Sequence, residues 1–221
     1  MKKSGVVIVA AGRGERLKSD IPKAFIQLLG KPLYKYSLEV FLNHPDIDEV
    51  VLVVPSEKVG GVPKNRCQVV GGGATRQESV INGLAALSPK CESVLVHDAA
   101  RPFVTDALID RLLATLAEGK SGIVAWPVPD TLKRAKGDII LETVDRSHFW
   151  AAQTPQAFPV AILKEALQKA KEENFVGTDE ASVVERLGLE VCLVLGDARN
   201  IKITTQYDLT LAQALLKYFN I

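Results

Sequence analysis

The sequence predicts an α/β protein built on a doubly wound, mostly parallel sheet. Three observations carry that expectation. Short runs of β-branched and apolar residues alternate with stretches whose apolar residues recur every three to four positions. The short runs are continuously apolar rather than alternating, as in strands covered on both faces. The chain has 221 residues, 47% of them hydrophobic, enough for one large α/β domain with a substantial core. With no internal repeat and no long linker, residues 1–221 are expected to form a single domain.

In chain order, Val6–Ala10 reads as the first strand, and Tyr34–Leu42 follows as an amphipathic helix. Val50–Val54 and Cys67–Val70 are strands, Gln77–Leu87 a helix and Ser93–His97 a strand. Asp106–Leu116 is a helix, with Leu108, Leu112, Leu113 and Leu116 on one stripe. Gly122–Trp126 is a strand, Val160–Lys171 a helix and Glu190–Leu195 a strand. The last helix, about Gln206 to Phe219, places Leu209, Ala212, Leu215, Leu216 and Phe219 inward. Asp130–Phe149 breaks the alternation and reads as a hairpin around Lys136-Gly137-Asp138. A lone two-stranded hairpin is marginal in water, so it must dock, either on its own domain or as an arm around a second subunit.

Charge and composition exclude several function classes. Lys plus Arg number 27 and Asp plus Glu 26, a net charge of +1, which leaves no basic footprint for nucleic acid or an anionic membrane. The longest apolar run, Val6–Ala11, falls well short of the roughly twenty residues of a spanning helix. Arg13, Glu15, Arg16 and Lys18 follow that run where a leader would need small residues for cleavage. Cys67, Cys91 and Cys192 are odd in number and form no CxxC pair, as in a reduced cytosolic chain. His44, His97 and His148 show no zinc-ligand spacing.

Four segments could carry chemistry. The first strand runs into Ala10-Ala11-Gly12-Arg13-Gly14-Glu15-Arg16-Leu17, where glycines at a strand's carboxyl end let backbone N–H groups close on an anion. Leu17 stands where the dinucleotide fingerprint needs its third glycine, and Pro22 prevents an ordinary crossover helix from starting at Gly14. The Walker motif is absent as well: Gly119-Lys120-Ser121 has its tail, but Ala114 replaces its first glycine. What remains is a glycine loop followed by Arg13, Arg16, Lys18 and Lys23, either a solvated face or a clamp for phosphates.

The second segment, Gly71-Gly72-Gly73 ahead of Thr75-Arg76 and Ser79, suggests close backbone approach to a flat ligand or simply a flexible loop. In the third, His97-Asp98-Ala99-Ala100-Arg101-Pro102, Asp98 could hold a ribose hydroxyl or a metal ion and Arg101 a phosphate; a structural ion pair competes. In the fourth, Asn200-Ile201-Lys202-Ile203-Thr204, the lysine is an edge-strand gatekeeper or an inward phosphate ligand. A nucleoside triphosphate site explains these segments together, whereas the bland readings must each be invoked separately.

Ala10-Ala11-Gly12-x-Gly14-x-Arg16-Leu17 with Pro22-Lys23 resembles the signature of the sugar- and polyol-phosphate nucleotidyltransferases. Gly72-Gly73-x-x-Arg76-x-x-Ser79-Val80, Val96–Pro102, Asp130-Thr131-x-Lys133-Arg134 and Thr143-Val144-Asp145-Arg146 narrow the match. So do Thr154-Pro155-Gln156-x-Phe158, Thr178–Ser182 and Asn200–Thr204. Over nearly the whole chain the pattern is similar to the methylerythritol phosphate cytidylyltransferase family. The resemblance implies a Rossmann-like nucleotidyltransferase fold. It also implies CMP transfer from CTP to 2-C-methyl-D-erythritol 4-phosphate with Mg²⁺, the ion held mainly through the CTP phosphates. It implies a cytoplasmic homodimer joined through the arm at about 130–149.

By position, the resemblance assigns nucleotide binding to Ala10, Ala11, Gly12, Gly14, Gly73, Ser79, Asp98 and Ala99. Arg16, Lys23 and Lys202 would be catalytic, on the triphosphate and the transition state. Asp98, Arg101, Thr131, Arg146, Thr178 and Thr204 would bind the acceptor, Thr131 and Arg146 by reaching across into the partner's site. Ala74 departs from the pattern, being often acidic in the family, which matters little if the backbone there is what touches cytosine. Ribitol-5-phosphate cytidylyltransferases resemble the chain in most motifs; Ala100, Thr143–Arg146 and Thr178-Asp179-Glu180 favour the methylerythritol phosphate acceptor. A non-catalytic nucleotide-binding protein is the alternative from another class.

Overall fold

The computed structural model describes residues 3–12, 14, 21–63 and 66–219. Its strands are β1 (Lys3–Val9), β2 (Gln27–Leu28), β3 (Lys31–Pro32), β4 (Glu49–Val54), β5 (Gln68–Gly71) and β6 (Cys91–Asp98). They continue with β7 (Ser121–Pro127), β8 (Leu132–Lys136), β9 (Ile139–Val144), β10 (Trp150–Pro159) and β11 (Val191–Leu195). The helices are α1 (Leu33–Asn43), α2 (Arg76–Ala86), α3 (Asp106–Ala117), α4 (Val160–Glu172), α5 (Glu180–Glu185) and α6 (Gln206–Phe219).

Seven strands form one sheet in the order β11-β7-β10-β6-β1-β4-β5, parallel throughout except that β10 runs antiparallel to both neighbours. The order decides where a ligand can sit. From β1 the chain steps outward to β4 and β5, then α2 carries it back to β6 on the opposite side of β1. The carboxyl ends of β1 and β6 therefore flank the point where strand order reverses, and a crevice opens there.

Both faces of the sheet are covered, which is why the strand runs are continuously apolar. Val6, Ile8, Leu52 and Leu95 pack with Tyr34, Leu38 and Phe41 of α1 and with Leu108, Ile109 and Leu112 of α3. Val7, Val51, Val53, Val94 and Val96 face the other way, against Val80 and Leu84 of α2 and Leu163 and Leu167 of α4. A third cluster ties Leu209, Ala212 and Leu216 of α6 to Leu28, Leu33, Phe103 and Ile203. Burying such a side chain contributes about 1.5–3 kcal/mol.

The structure adds elements that the sequence pattern did not announce. β10 is the largest, because buried polar residues interrupt its apolar run. Gln153, Thr154 and Gln156 are all buried and spend their hydrogen bonds on Asp197, His97, Asp98, Asp179 and Ala181. α5 is short and opens on a capping box between Asp179 and Ser182.

The predicted hairpin is β8 paired with β9, turning at Gly137 with φ of 57°. It forms a separate two-stranded sheet. Ile139, Ile140 and Leu141 on its return strand are 71%, 60% and 50% exposed. Among the described residues, no helix is long and apolar enough to cross a membrane.

Candidate active site

Three strand ends build a cavity of about 500 Å³ at the reversal point. Past β1, Ala10 is held to the sheet by its N–H on the Val53 carbonyl at 2.7 Å, and Ala11 and Gly12 continue the wall. Past β5, the Gly72 N–H reaches the Val54 carbonyl at 2.8 Å. A Cβ on Gly72 would lie 2.4 Å from the Ala11 Cβ and 2.9 Å from Ser79 Oγ, so two loops close on each other only because a glycine stands there. Past β6, the Ala99 N–H donates to the Val9 carbonyl at 3.0 Å and brings Asp98 to the same crevice.

Gly14 has φ of 70°, and a Cβ on it would sit 2.6 Å from the Lys23 Cβ. The glycine loop thus comes back against the one-turn 3-10 segment Lys23–Phe25, which puts Lys23 on the cavity wall. Thr75 caps α2 by accepting the Glu78 N–H at 3.1 Å. The Glu78 carboxylate in turn accepts the Ala74 N–H at 2.7 Å, and Ser79 Oγ accepts the Gly73 N–H at 3.1 Å. This cap places Arg76, the first residue of α2, in the cavity.

Lys202 and Thr204 come from an extended segment ahead of α6. It is stitched to the loop after β6 by the Ile203 N–H on the Ala100 carbonyl at 2.8 Å. Lys202 lies on no strand and faces inward, so the gatekeeper alternative does not apply. Thr204 Oγ1 donates to Asp208 Oδ2 at 2.7 Å.

The electrostatics centre on Asp98, only 6% exposed. Arg76 Nε lies 3.0 Å from its Oδ1 and Lys202 Nζ 2.6 Å from its Oδ2. Burial alone would raise its pKa, but the charges of Arg76 and Lys202 outweigh it and hold the carboxyl well below its usual range. Burial would lower the Arg76 pKa, yet Asp98 and Glu180 raise it. Three cations, Lys23, Arg76 and Lys202, and one carboxylate line the described wall, a balance suited to a polyanion.

Behind Asp98, fully buried His97 has its pKa lowered to about 4 by burial. Its hydrogen bonds fix a tautomer. The Arg101 carbonyl can only accept, so Nε2 carries the ring proton and donates to it at 3.1 Å. Nδ1 accepts the Thr154 hydroxyl at 3.1 Å, while Thr154 Oγ1 accepts the Asp98 N–H at 3.0 Å.

Of the residues expected from sequence, Ala10, Ala11, Gly12, Gly14, Lys23, Gly73, Ser79, Asp98, Ala99, Lys202 and Thr204 line this one cavity. Arg16 lies outside the described residues. Arg101 does not line the cavity. Its guanidinium is buried and donates to the Asn200 carbonyl at 2.7 Å and the Ala152 carbonyl at 3.1 Å, clasping the segment that carries Lys202. Thr178 is exposed and off the cavity wall. Thr131 and Arg146 sit exposed at the hairpin base, where the Arg146 guanidinium donates to the Pro129 carbonyl.

The sequence puts Arg76 within the second glycine segment but gives it no role of its own, and it gives Glu180 no place in the site. The cap pattern Thr75-x-x-Glu78, which fixes Arg76 as a helix's first residue beside a glycine loop, was the available signal for Arg76. Away from the cavity, the fold gathers His44, Asp46 and Asp110, a proximity the spacing of the histidines does not announce. The contacts are those of a helix end: His44 Nδ1 accepts the Asp46 N–H at 3.3 Å, and Nε2 meets Asp110 Oδ1 at 3.1 Å.

Comparison with known proteins gives one consistent result. Residues 5–218 match the family described as 2-C-methyl-D-erythritol 4-phosphate cytidylyltransferase. A protein of that name from Bacillus velezensis is 46% identical, with 96% of this chain and 95% of the relative covered. One from Halalkalibacterium halodurans is 45% identical, with 96% of each chain covered. The crystal structure of the Thermus thermophilus protein of that name superposes with a TM-score of 0.83 at 38% identity, covering 98% of this chain and 100% of that one. The structure of a 4-diphosphocytidyl-2C-methyl-D-erythritol synthase from Anaerococcus prevotii superposes at 0.85 with 30% identity, covering 98% and 99%.

Proposed function

The chain belongs to the 2-C-methyl-D-erythritol 4-phosphate cytidylyltransferase family, and on that basis we propose how its cavity performs the transfer. CMP passes from CTP to 2-C-methyl-D-erythritol 4-phosphate, giving the cytidine diphosphate ester and pyrophosphate for isoprenoid synthesis. The observation that carries this reading is the convergence of two glycine loops with Lys23, Arg76, Asp98 and Lys202 at the reversal point of the sheet.

An anionic phosphate must attack the α-phosphorus of another polyanion, so charge repulsion is the first obstacle. Lys23, Lys202 and, outside the described residues, Arg16 neutralise it and stabilise charge on the transferring group and on the departing pyrophosphate. The acceptor phosphate has a second pKa of about 6, so it is mostly deprotonated at neutral pH and no general base is required. The loops around Ala11 and Gly73 leave room for a flat base, and Ser79 Oγ, accepting the Gly73 N–H and donating to the Thr75 carbonyl, holds the second of them in shape.

Asp98 is the single carboxylate among the described cavity residues, and both its oxygens are already taken. Asp98 is thus the one described cavity residue that could help hold Mg²⁺, and the ion would be carried mainly by the triphosphate. The ion would supply further neutralisation of the leaving pyrophosphate. Three free thiols support a cytosolic enzyme.

The hairpin is read as the joint of a homodimer, with Thr131 and Arg146 offered to the neighbouring subunit's acceptor phosphate. Their exposure, together with that of Ile139 and Ile140, supports this reading.

The deciding assay is pyrophosphate release with CTP and Mg²⁺, comparing methylerythritol 4-phosphate with ribitol 5-phosphate. Turnover is expected with the first. Turnover with the second alone would keep the chemistry and move the acceptor. Lys23→Ala and Lys202→Ala should each lower kcat by about 100-fold or more with the fold intact, and near-normal turnover in either would remove its role.

A further inference from the structure

Four charged side chains from four separate elements form an alternating line into the cavity. Glu180, at the start of α5, meets both terminal nitrogens of Arg76, Oε1 to Nη1 at 2.6 Å and Oε2 to Nη2 at 3.0 Å. Arg76 turns its remaining nitrogen, Nε, to Asp98 Oδ1 at 3.0 Å. Asp98 Oδ2 holds Lys202 Nζ at 2.6 Å. Arg76, Asp98 and Lys202 line the cavity, whereas Glu180 stands behind Arg76, is 2% exposed and is off the wall.

Burying this carboxylate is costly, and it repels the polyanion that the site must bind. Charge alone therefore argues against it, and geometry supplies its reason. A carboxylate gripping the guanidinium fork fixes the plane of Arg76, as a single hydrogen bond could not.

The grip itself stands on a rigid base. Ala181, Val183 and Val184 bury α5 in the second core cluster. Gln156 of β10 accepts the Ala181 N–H at 3.0 Å and donates to Asp179 Oδ2 at 2.8 Å.

We propose that Glu180 is a positioning residue for the transfer. By holding both Nη atoms of Arg76 it aims Nε at Asp98, and so sets the place of Lys202 beside the reacting phosphate. The proposal rests on the reading of the cavity given under Proposed function.

The test is a double-mutant cycle on pyrophosphate release, using Glu180→Gln, Arg76→Gln and the double variant, each checked for folding by circular dichroism. Glu180→Gln should lower kcat tenfold or more. The KM for CTP should stay unchanged or fall, because a negative charge has left the site. Added to Arg76→Gln, it should cost less than a further twofold, since Glu180 acts only through that arginine.

A kcat within twofold of wild type would overturn the proposal. So would losses that multiply in the double variant, or a rise in KM for CTP with kcat kept. If Glu180→Gln does not fold, Glu180→Asp carries the same cycle, because it keeps the charge but falls one methylene short of the fork. A wild-type chain that releases no pyrophosphate overturns the functional reading and this proposal with it. Turnover by wild type with independent losses overturns the proposal alone.

Discussion

His97 shows how a single residue couples the core to the site. Its ring is fully buried and its two nitrogens are committed to Thr154 and the Arg101 carbonyl, so the folded state favours the neutral form. With a folded pKa of about 4, below the ordinary value of 6.5, the stability tied to it is complete above pH 6.5 and is lost as pH falls toward 4. A difference of that size corresponds to about 3 kcal/mol. Urea midpoints at pH 7 and 4.5 should therefore lie closer together in His97→Gln than in wild type; equal spacing would remove the role.

Gly72 makes a second prediction at this scale. Its missing Cβ is what lets the loop after β5 meet Ala11 and Ser79. Gly72→Ala should weaken CTP binding about tenfold or more and cost about 1–3 kcal/mol of stability. An unchanged CTP affinity by calorimetry would show that the loop relaxes freely. Neither residue's role follows from its type. The signals were only that a histidine precedes Asp98 and that three glycines exceed what a turn needs.

Among the elements, the hairpin β8–β9 behaves least like the rest. Arg134 pairs with Glu142 at 2.7 Å and Lys133 with Thr143 at 2.6 Å, yet exposed pairs of this kind contribute little, and the apolar side chains of β9 are left in water. Substituting Ile139, Ile140 and Leu141 with Ser should yield a monomer by light scattering with the sheet intact by circular dichroism. A dimer that survives the change would locate the joint elsewhere.

Arg146→Ala should chiefly raise the KM for the acceptor, and a variant weakened only for CTP would contradict its proposed place. If the arm serves the neighbouring site, a Lys23→Ala chain refolded with an Arg146→Ala chain, assayed at acceptor far below the latter's raised KM where each alone is nearly silent, regains about a quarter of wild-type activity. Half the dimers are then mixed, and each mixed dimer holds one intact site. No recovery would confine each site to one subunit. The hairpin itself was legible from its turn and strand pattern. β10 was not, because its polar residues are satisfied by partners far away in sequence.

Across the whole molecule, the cavity draws residues from β1, the Lys23–Phe25 turn, the loop after β5, α2, β6 and the segment before α6, so a ligand there should tie the two halves of the sheet together. CTP with Mg²⁺ at about 100 times its Kd should stabilise the fold by about 2.7 kcal/mol, a rise in Tm of roughly 5–10 °C for a chain of this size. A chelator should remove most of that rise if the ion rides on the nucleotide. An unchanged shift in its presence would mean that the protein's own cations suffice.

The α/β class, the order of most strands and helices, the glycine loops and the segments carrying Lys23, Asp98 and Lys202 could all be read along the chain. Those features are local: apolar period, turn chemistry and short motifs each act within about a dozen residues. Packing in three dimensions was needed to show that Lys202 faces inward rather than guarding an edge. It was needed again to show that Arg101 clasps backbone carbonyls instead of lining the cavity, and that Arg76 and Glu180 join Asp98 in one line of charge. Glu180 and Arg76 are separated by more than a hundred residues. Their pairing depends on how α5 and α2 pack on one face of the sheet, which no local pattern encodes.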